Sequence, residues 1–180
     1  MPARPKGTNH SFTLIVDGPI DDDSVLNALF EAGCDDATFG SIDGVGLADF
    51  NRGARTFLEA VRSAVRAVES VPSLRVVRVE PEDLVTMAEM ARRLDRSREG
   101  VRLLIAGERG PGAFPAPVSR VRSRSPLWRW ADVAAWAHEA LGHHNTDAAL
   151  VASINAALEL RRQRPRLAPR ERNFVASLSG

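Results

Sequence analysis

A chain of 180 residues, 44% of them hydrophobic and 26% charged, has the composition of a globular protein long enough to bury one large core or two small ones. No run approaches the length of a membrane span, and the N-terminus lacks the apolar centre of a signal peptide. The single cysteine, Cys34, precludes an internal disulfide and fits a reducing compartment, so the expected location is cytoplasmic, with no membrane partner. The formal net charge of +1 averages over a division. From His10 to Pro81 six arginines face twelve acids, a difference of −6; from Glu82 to Gly180 sixteen arginines face eleven acids, a difference of +5. An acidic front half and a basic back half imply two modules with different partners, the basic one suited to nucleic acid.

Residues 1–10 carry no hydrophobic periodicity and are expected to form a disordered leader. Phe12 to Val16 is a β-rich run closed by Asp17-Gly18-Pro19. Asp21-Asp22-Asp23-Ser24 supplies a cap and negative charge for a helix in which Val25, Leu26, Leu29 and Phe30 share a face and Gly33 is the stop. Ala37–Ile42 and Val45–Phe50 flank Asp43-Gly44, a strong hairpin signal. A second helix is expected from Thr56 to Ser70, with Phe57, Leu58, Val61, Ala64, Val65 and Val68 at helical spacing, and a fourth strand from Leu74 to Val79. The order βαββαβ over residues 11–81 is the split βαβ arrangement of ferredoxin-like folds. Its acidity and lack of an aromatic-basic strand motif argue against RNA; a small-molecule ligand, a protein partner or self-association remain open for it.

After a short boundary at Pro81-Glu82-Asp83, residues 84–138 read as a winged helix-turn-helix. Thr86 and Glu89 form a capping box for a first helix in which Met90, Ala91 and Leu94 point inward. Asp95-Arg96 is the turn, Ser97 caps a second helix, and Val101, Leu104 and Ile105 are its buried side. Ser97, Arg98, Glu99 and Arg102 then face outward. Arg98 and Arg102, four apart, project from one face, where an arginine can grip a guanine with two hydrogen bonds; Glu99 can accept from a cytosine amine or repel wrong registers. In the run from Ser119 to Ser125, Arg120, Arg122 and Arg124 alternate. On a strand they share one face and suit phosphates or a narrow minor groove, or else they balance acids of the first module. Arg129, between Trp128 and Trp130, extends this basic set. The three tryptophans, with Trp136, read as core anchors of a small wing rather than base-stacking platforms.

The segment Thr86-Met87-Ala88-Glu89-Met90-Ala91, Leu94 to Ser97, Phe114-Pro115-Ala116-Pro117-Val118, and Trp128 followed by Asp132-Val133-Ala134-Ala135-Trp136 resembles the excisionase-like (AlpA-type) branch of the MerR-like winged helix-turn-helix proteins. The resemblance covers about 50 of 180 residues. It implies that the Phe-Pro-x-Pro piece enters the wing, that the aromatic and Asp-Val-x-x-Trp pieces close a small core, and that the module binds duplex DNA sequence-specifically. Asp95 stands where a glycine is common, and the loop from Gly107 to Gly112 is longer than expected.

Other motifs imitate chemistry. His138 and His143 are five apart and Gly142 interrupts them, whereas a zinc-protease helix needs histidines four apart; a helix end and cap explain them, with His144 and Asp147, better than a metal. Gly107, Gly110 and Gly112 lack the Gly-Lys-Ser/Thr ending of a phosphate loop. Asp21-Asp22-Asp23 is an ordinary helix start, and Cys34 has no basic activator nearby in sequence. No nucleophile-base pair or carboxylate dyad stands out, so neither catalysis nor a cofactor is expected.

Residues 146–180 read as a basic helical extension. Thr146-Asp147 caps a helix to about Gln163 with Leu150, Val151, Ile154, Ala157, Leu158 and Arg161 on one side, expected to pack on the winged module or across a dimer. The run Arg161 to Arg166 suits phosphates or a solvated helix end, and a last helical segment spans Arg170 to Leu178. The combined expectation is an α+β protein: a ferredoxin-like domain, a winged helix-turn-helix domain and a helical extension. It is expected to be a dimeric transcriptional regulator that reads double-stranded DNA. The alternatives are an interaction module such as an antitoxin or adaptor, or an architectural or recombination accessory factor.

Overall fold

The computed structural model describes residues 7–143 and 147–178. The chain is an α+β protein that divides into two compact units. Residues up to Glu80 and from Ser153 onward form the first; Pro81–Ala152 forms the second. Among the described residues no helix is long and apolar enough to cross a membrane.

In the first unit, β1 (Thr8–Asp17), β2 (Ala37–Ile42), β3 (Val45–Ala54) and β4 (Arg75–Glu80) make an antiparallel sheet in the order β2-β3-β1-β4. Thr8, Asn9 and His10 pair with Ala54, Gly53 and Arg52, so the strand begins inside the stretch expected to be a leader; residues 1–6 lie outside the described residues. Long cross-strand pairing supplies the hydrogen bonds that hydrophobic periodicity did not announce. Along β1 and β3 alternate residues are buried, among them Phe12, Leu14 and Val16, then Ala48, Phe50 and Arg52, as a sheet with one covered face requires. The rings of Phe12 and Phe50 stack with centroids 5.4 Å apart. The β2–β3 hairpin turns on Asp43 (φ +52) and Gly44 (φ +78), the pair of positive φ angles a two-residue I′ turn needs.

Two helices belong to this unit's core. Asp22 caps α1 (Asp23–Glu31) by accepting from the Ser24 amide at 2.8 Å, and Thr56 caps α2 (Phe57–Glu69) by accepting from the Glu59 amide at 3.2 Å. Helix α1 buries Val25 and Leu29, one turn apart; Phe30 is 67% exposed, a correction to the expected face, because a nine-residue helix presents only a narrow stripe to the sheet. Helix α2 buries Ala60, Val61, Ala64 and Val68, while Leu58 lies outside its stripe.

Arg52 is the buried charged residue of this core, 6% exposed. Its Nε and Nη2 donate to the two oxygens of Asp36 at 3.0 and 2.7 Å, Nη2 also to the Gly33 carbonyl at 2.8 Å, and its guanidinium lies 4.7 Å from the Phe50 ring centre. Burial opposes its charge, and the Asp36 carboxylate overcomes that penalty. Cys34 is buried beside this pair, and burial pushes its thiol above the ordinary value.

From Ser153 onward the C-terminal extension attaches to β4, while Ala148 near its start packs in the core of the second unit. Asn155 of α6 (Ala148–Gln163) accepts from the Val79 amide and donates to the Val79 carbonyl, both at 2.8 Å. Arg161 donates to Val76 O at 2.7 Å and makes two bonds to Glu69 (2.6 and 2.9 Å), and Glu69 in turn accepts from the Val76 amide at 3.0 Å. These side chains occupy the hydrogen-bonding positions of a fifth strand. A register shift opposite Ile15 and Val16 lets Val76 and Val79, three residues apart, both be buried. A 3₁₀ turn (Arg164–Arg166) and α7 (Pro169–Ser177) follow. Thr146, expected as a cap, lies outside the described residues.

Candidate nucleic-acid interface

The second unit is built from short elements that depend on one another. Helix α3 (Met87–Arg93) starts at Thr86, whose hydroxyl accepts from the Glu89 amide at 3.2 Å. It buries Met90 and Ala91, and Leu94 closes its end. Asp95 then takes φ +51, the left-handed conformation that favours glycine at this point of a tight turn, and the Arg96 amide bonds back to Ala91 O at 2.8 Å. Ser97 caps α4 (Arg98–Ile105), its hydroxyl accepting from the Gly100 amide at 3.0 Å. Val101 and Leu104 are buried. The outcome is two helices of seven and eight residues joined by the four residues Leu94–Ser97.

A two-stranded ladder of β5 (Leu84–Val85) and β6 (Trp128–Arg129), with α5 (Trp130–Leu141), completes the unit. Trp128 and Trp130 are buried with Val85, Met90, Ala91, Leu94, Val101, Val133, Ala134 and Ala137. Trp128 Nε1 donates to Pro115 O at 3.1 Å, Trp136 Nε1 to Gly112 O at 2.9 Å, and the Phe114 ring lies 4.7 Å from that of Trp136. The Trp128 and Trp136 indoles thus have satisfied N–H groups and Trp130 is buried in the core, so the tryptophans are structural anchors. The Gly107–Gly112 loop takes φ of +71, +79 and +80 at its glycines, which bends it back so that Gly112 reaches Trp136. Gly142, at φ +66, ends α5; His144 lies outside the described residues. Among the described residues no group of three His, Cys, Asp or Glu side chains is placed to hold a metal ion.

The outward residues fall into three groups. Ser97, Arg98, Glu99 and Arg102 are all exposed at the start of α4. They are not equivalent: Arg102 Nε lies 3.0 Å from both oxygens of Glu99 and its Nη2 is 3.5 Å from Glu108. The bond from Arg102 holds the Glu99 carboxyl below its usual range, and the two carboxylates raise the Arg102 value. Arg98 makes no ion pair among the described residues.

Arg120, Arg122 and Arg124 form the second group. The expected alternation on a strand is not what the chain adopts. Ser119 and Leu127 bridge one another, and between them Arg120 takes φ +49 and accepts from the Ser123 amide at 2.8 Å. The serines bond the local backbone, Ser123 Oγ accepting from the Ser125 amide at 3.1 Å, and the run becomes a turn. All three arginines are exposed on it, without a common strand face.

Arg129 stands apart. Its Nη1 donates to Asp83 Oδ2 at 2.8 Å, while Asp83 Oδ1 accepts from the Ala131 amide at 3.0 Å and Asp83 O from Trp130 N at 2.5 Å. Asp83 thereby clasps the start of α5, and Arg129 is half tied into that clasp. Arg93 has a comparable structural task, donating to Glu82 O at 2.9 Å and lying 5.1 Å from the Trp130 ring centre. Neither clasp has a signal in residue spacing. In the extension, Arg161 is committed to β4, and Arg162 to Glu159, whose carboxyl it draws down to about 2. No family model, no curated protein and no solved structure matches this chain.

Proposed function

We propose that this chain is a sequence-specific binder of double-stranded DNA, acting as a transcriptional regulator through an excisionase-like winged helix-turn-helix formed by Leu84 to Trp136. The observation that carries the reading is α4. It is a capped, outward-facing helix start with Arg98 unpaired among the described residues beside Ser97, set on a core closed by Trp128 and Trp130. In this reading α4 enters the major groove, Arg98 contacts a base edge, and Glu99 and Arg102 read or reject a neighbouring pair after exchanging their mutual bond for base contacts. Arg120, Arg122 and Arg124 present positive charge from the turn to phosphates or a minor groove, and the exposed part of Arg129 adds to it. The activity is recognition and not catalysis.

The strand order β2-β3-β1-β4 supports reading the first unit as a ferredoxin-like domain. Asn155 and Arg161 close its β4 edge, which leaves β2 as the edge for pairing with a second copy in a dimer that reads two half-sites.

Selection of genomic fragments with the purified chain, followed by binding at several salt concentrations, tests the reading. A recurrent site bound well above random DNA, with affinity falling steeply as salt rises, is the expected result. Absence of enrichment with only weak binding overturns it in favour of a protein-interaction module. Enrichment of many sites with strong bending points to an architectural factor.

A further inference from the structure

We propose that the groove between the end of β3 and α2 is a binding site for a small phosphoryl anion, with Arg52, Arg62 and Arg66 as its cationic wall. The groove has a volume of about 510 Å³ and is lined by these three arginines with Gly53, Ala54, Glu59 and Ser63. That volume suits a phosphorylated small molecule. The inference concerns the first unit alone and is independent of whether the second unit binds DNA.

Charge placement is the first argument. The segment from His10 to Pro81 has twice as many acids as arginines, yet three of its six arginines line this one groove and Glu59 is the acid that joins them. Arg62 and Arg66 stand four apart on α2, so they present two like charges on one helical face, an arrangement that costs stability unless an anion offsets it. Both are exposed, and neither makes an ion pair among the described residues.

Arg52 supplies the second argument. Asp36 and the Gly33 carbonyl take its Nε and Nη2, which fixes the guanidinium plane, while Nη1 has a long 3.4 Å contact to Ser63 Oγ and the weakly accepting Cys34 sulfur is also near the guanidinium. A guanidinium has five donors, so Nη1 retains donor capacity on the side where Arg52 and Ser63 line the groove. The Ser63 hydroxyl already donates to Ala60 O at 2.9 Å, which leaves its oxygen an acceptor and places donation to a ligand on the arginines. One buried, pre-oriented guanidinium and two exposed ones offer donors from two elements, matching the several acceptor oxygens of a phosphate dianion. A phosphate monoester and inorganic phosphate share this chemistry.

Titration of the isotope-labelled full chain with inorganic phosphate at constant ionic strength, followed by NMR, tests the site. Saturable shifts confined to the arginine side-chain and backbone signals at Arg52, Gly53, Arg62, Ser63 and Arg66 are expected. The double variant R62A/R66A should keep the wild-type spectrum elsewhere and lose at least tenfold in phosphate affinity, while R55A, outside the groove lining, should bind as wild type. Non-saturating shifts spread over all arginines, unchanged affinity in R62A/R66A, or tighter binding of citrate than of phosphate would each overturn the assignment. Replacing phosphate by a phosphate monoester should deepen the response at the same residues if the bound species is an ester, and leave it unchanged if it is free phosphate.

Discussion

Among the described residues the first unit buries an arginine and the second buries none. In the first, Arg52 is buried against Asp36 and Arg161 is spent on the edge of β4. In the second, Arg98, Arg120, Arg122 and Arg124 stand exposed on a helix start and a turn. A charge count along the sequence separates an acidic half from a basic one, but what an arginine can do is set by burial and by the carboxylates that reach it. Arg102 and Arg129 illustrate this: both sit in the second unit, and both are already held by acids. The comparison also separates two kinds of cohesion. The first unit has a long-paired sheet; the second has two-residue strands and relies on Trp128, Trp130 and the Asp83 clasp.

The largest expected effect breaks the buried pair. Arg52→Met removes the guanidinium that bonds both oxygens of the buried Asp36 carboxylate, which should cost the first unit about 3–5 kcal/mol. All three tryptophans lie in the second unit, so their fluorescence reports it separately. In denaturant, the far-ultraviolet transition of R52M should move to lower concentration while the fluorescence transition stays; if both shift equally, the units do not unfold separately. Next comes the sheet edge. Asn155→Ala removes both partners of Val79 and should destabilise by about 1–3 kcal/mol, seen as faster hydrogen exchange at the Val79 amide and a greater tendency to aggregate through the opened strand. Unchanged exchange there would show that α6 does not act as the fifth strand.

The two arginines of α4 sharpen the comparison within the second unit. Arg98→Ala should relax discrimination at one base pair by about 1–3 kcal/mol on the selected site, and Arg102→Ala should do less, because Glu99 and Glu108 already hold that guanidinium. The reverse ranking would mean that Arg102 leaves its acids on binding and is the principal reader. Arg122→Ala should weaken all sequences alike and reduce the slope of log affinity against log salt by about 1. The smallest effect is one of pH. Bonding from Arg92 holds the Glu89 carboxyl below its usual range, with Arg93 assisting. A carboxyl depressed in the folded state contributes stability above its unfolded value and loses it as the pH falls through the folded one. The stability gap between wild type and Glu89→Gln, read by tryptophan fluorescence, should therefore be present at neutral pH and close in acid.

The sequence by itself determined the elements and their order wherever a local chemical signal existed. Asp43-Gly44 specified a turn because few residue pairs tolerate two positive φ angles, and Thr56, Thr86 and Ser97 marked helix starts because each hydroxyl meets a nearby orphan amide. The tryptophans were legible as anchors because a small core needs large apolar side chains. Tertiary structure alone decided which charges are spent and which remain. Asn155 and Arg161 reach strand β4 from 76 and 85 residues away, and Arg129 meets Asp83 from 46. The turn of the arginine run depends on the Ser119–Leu127 bridge rather than on its alternating residues. Periodicity records which face a side chain takes on its own element; the partner across that face is set by packing of segments far apart in the chain, and no local pattern encodes it.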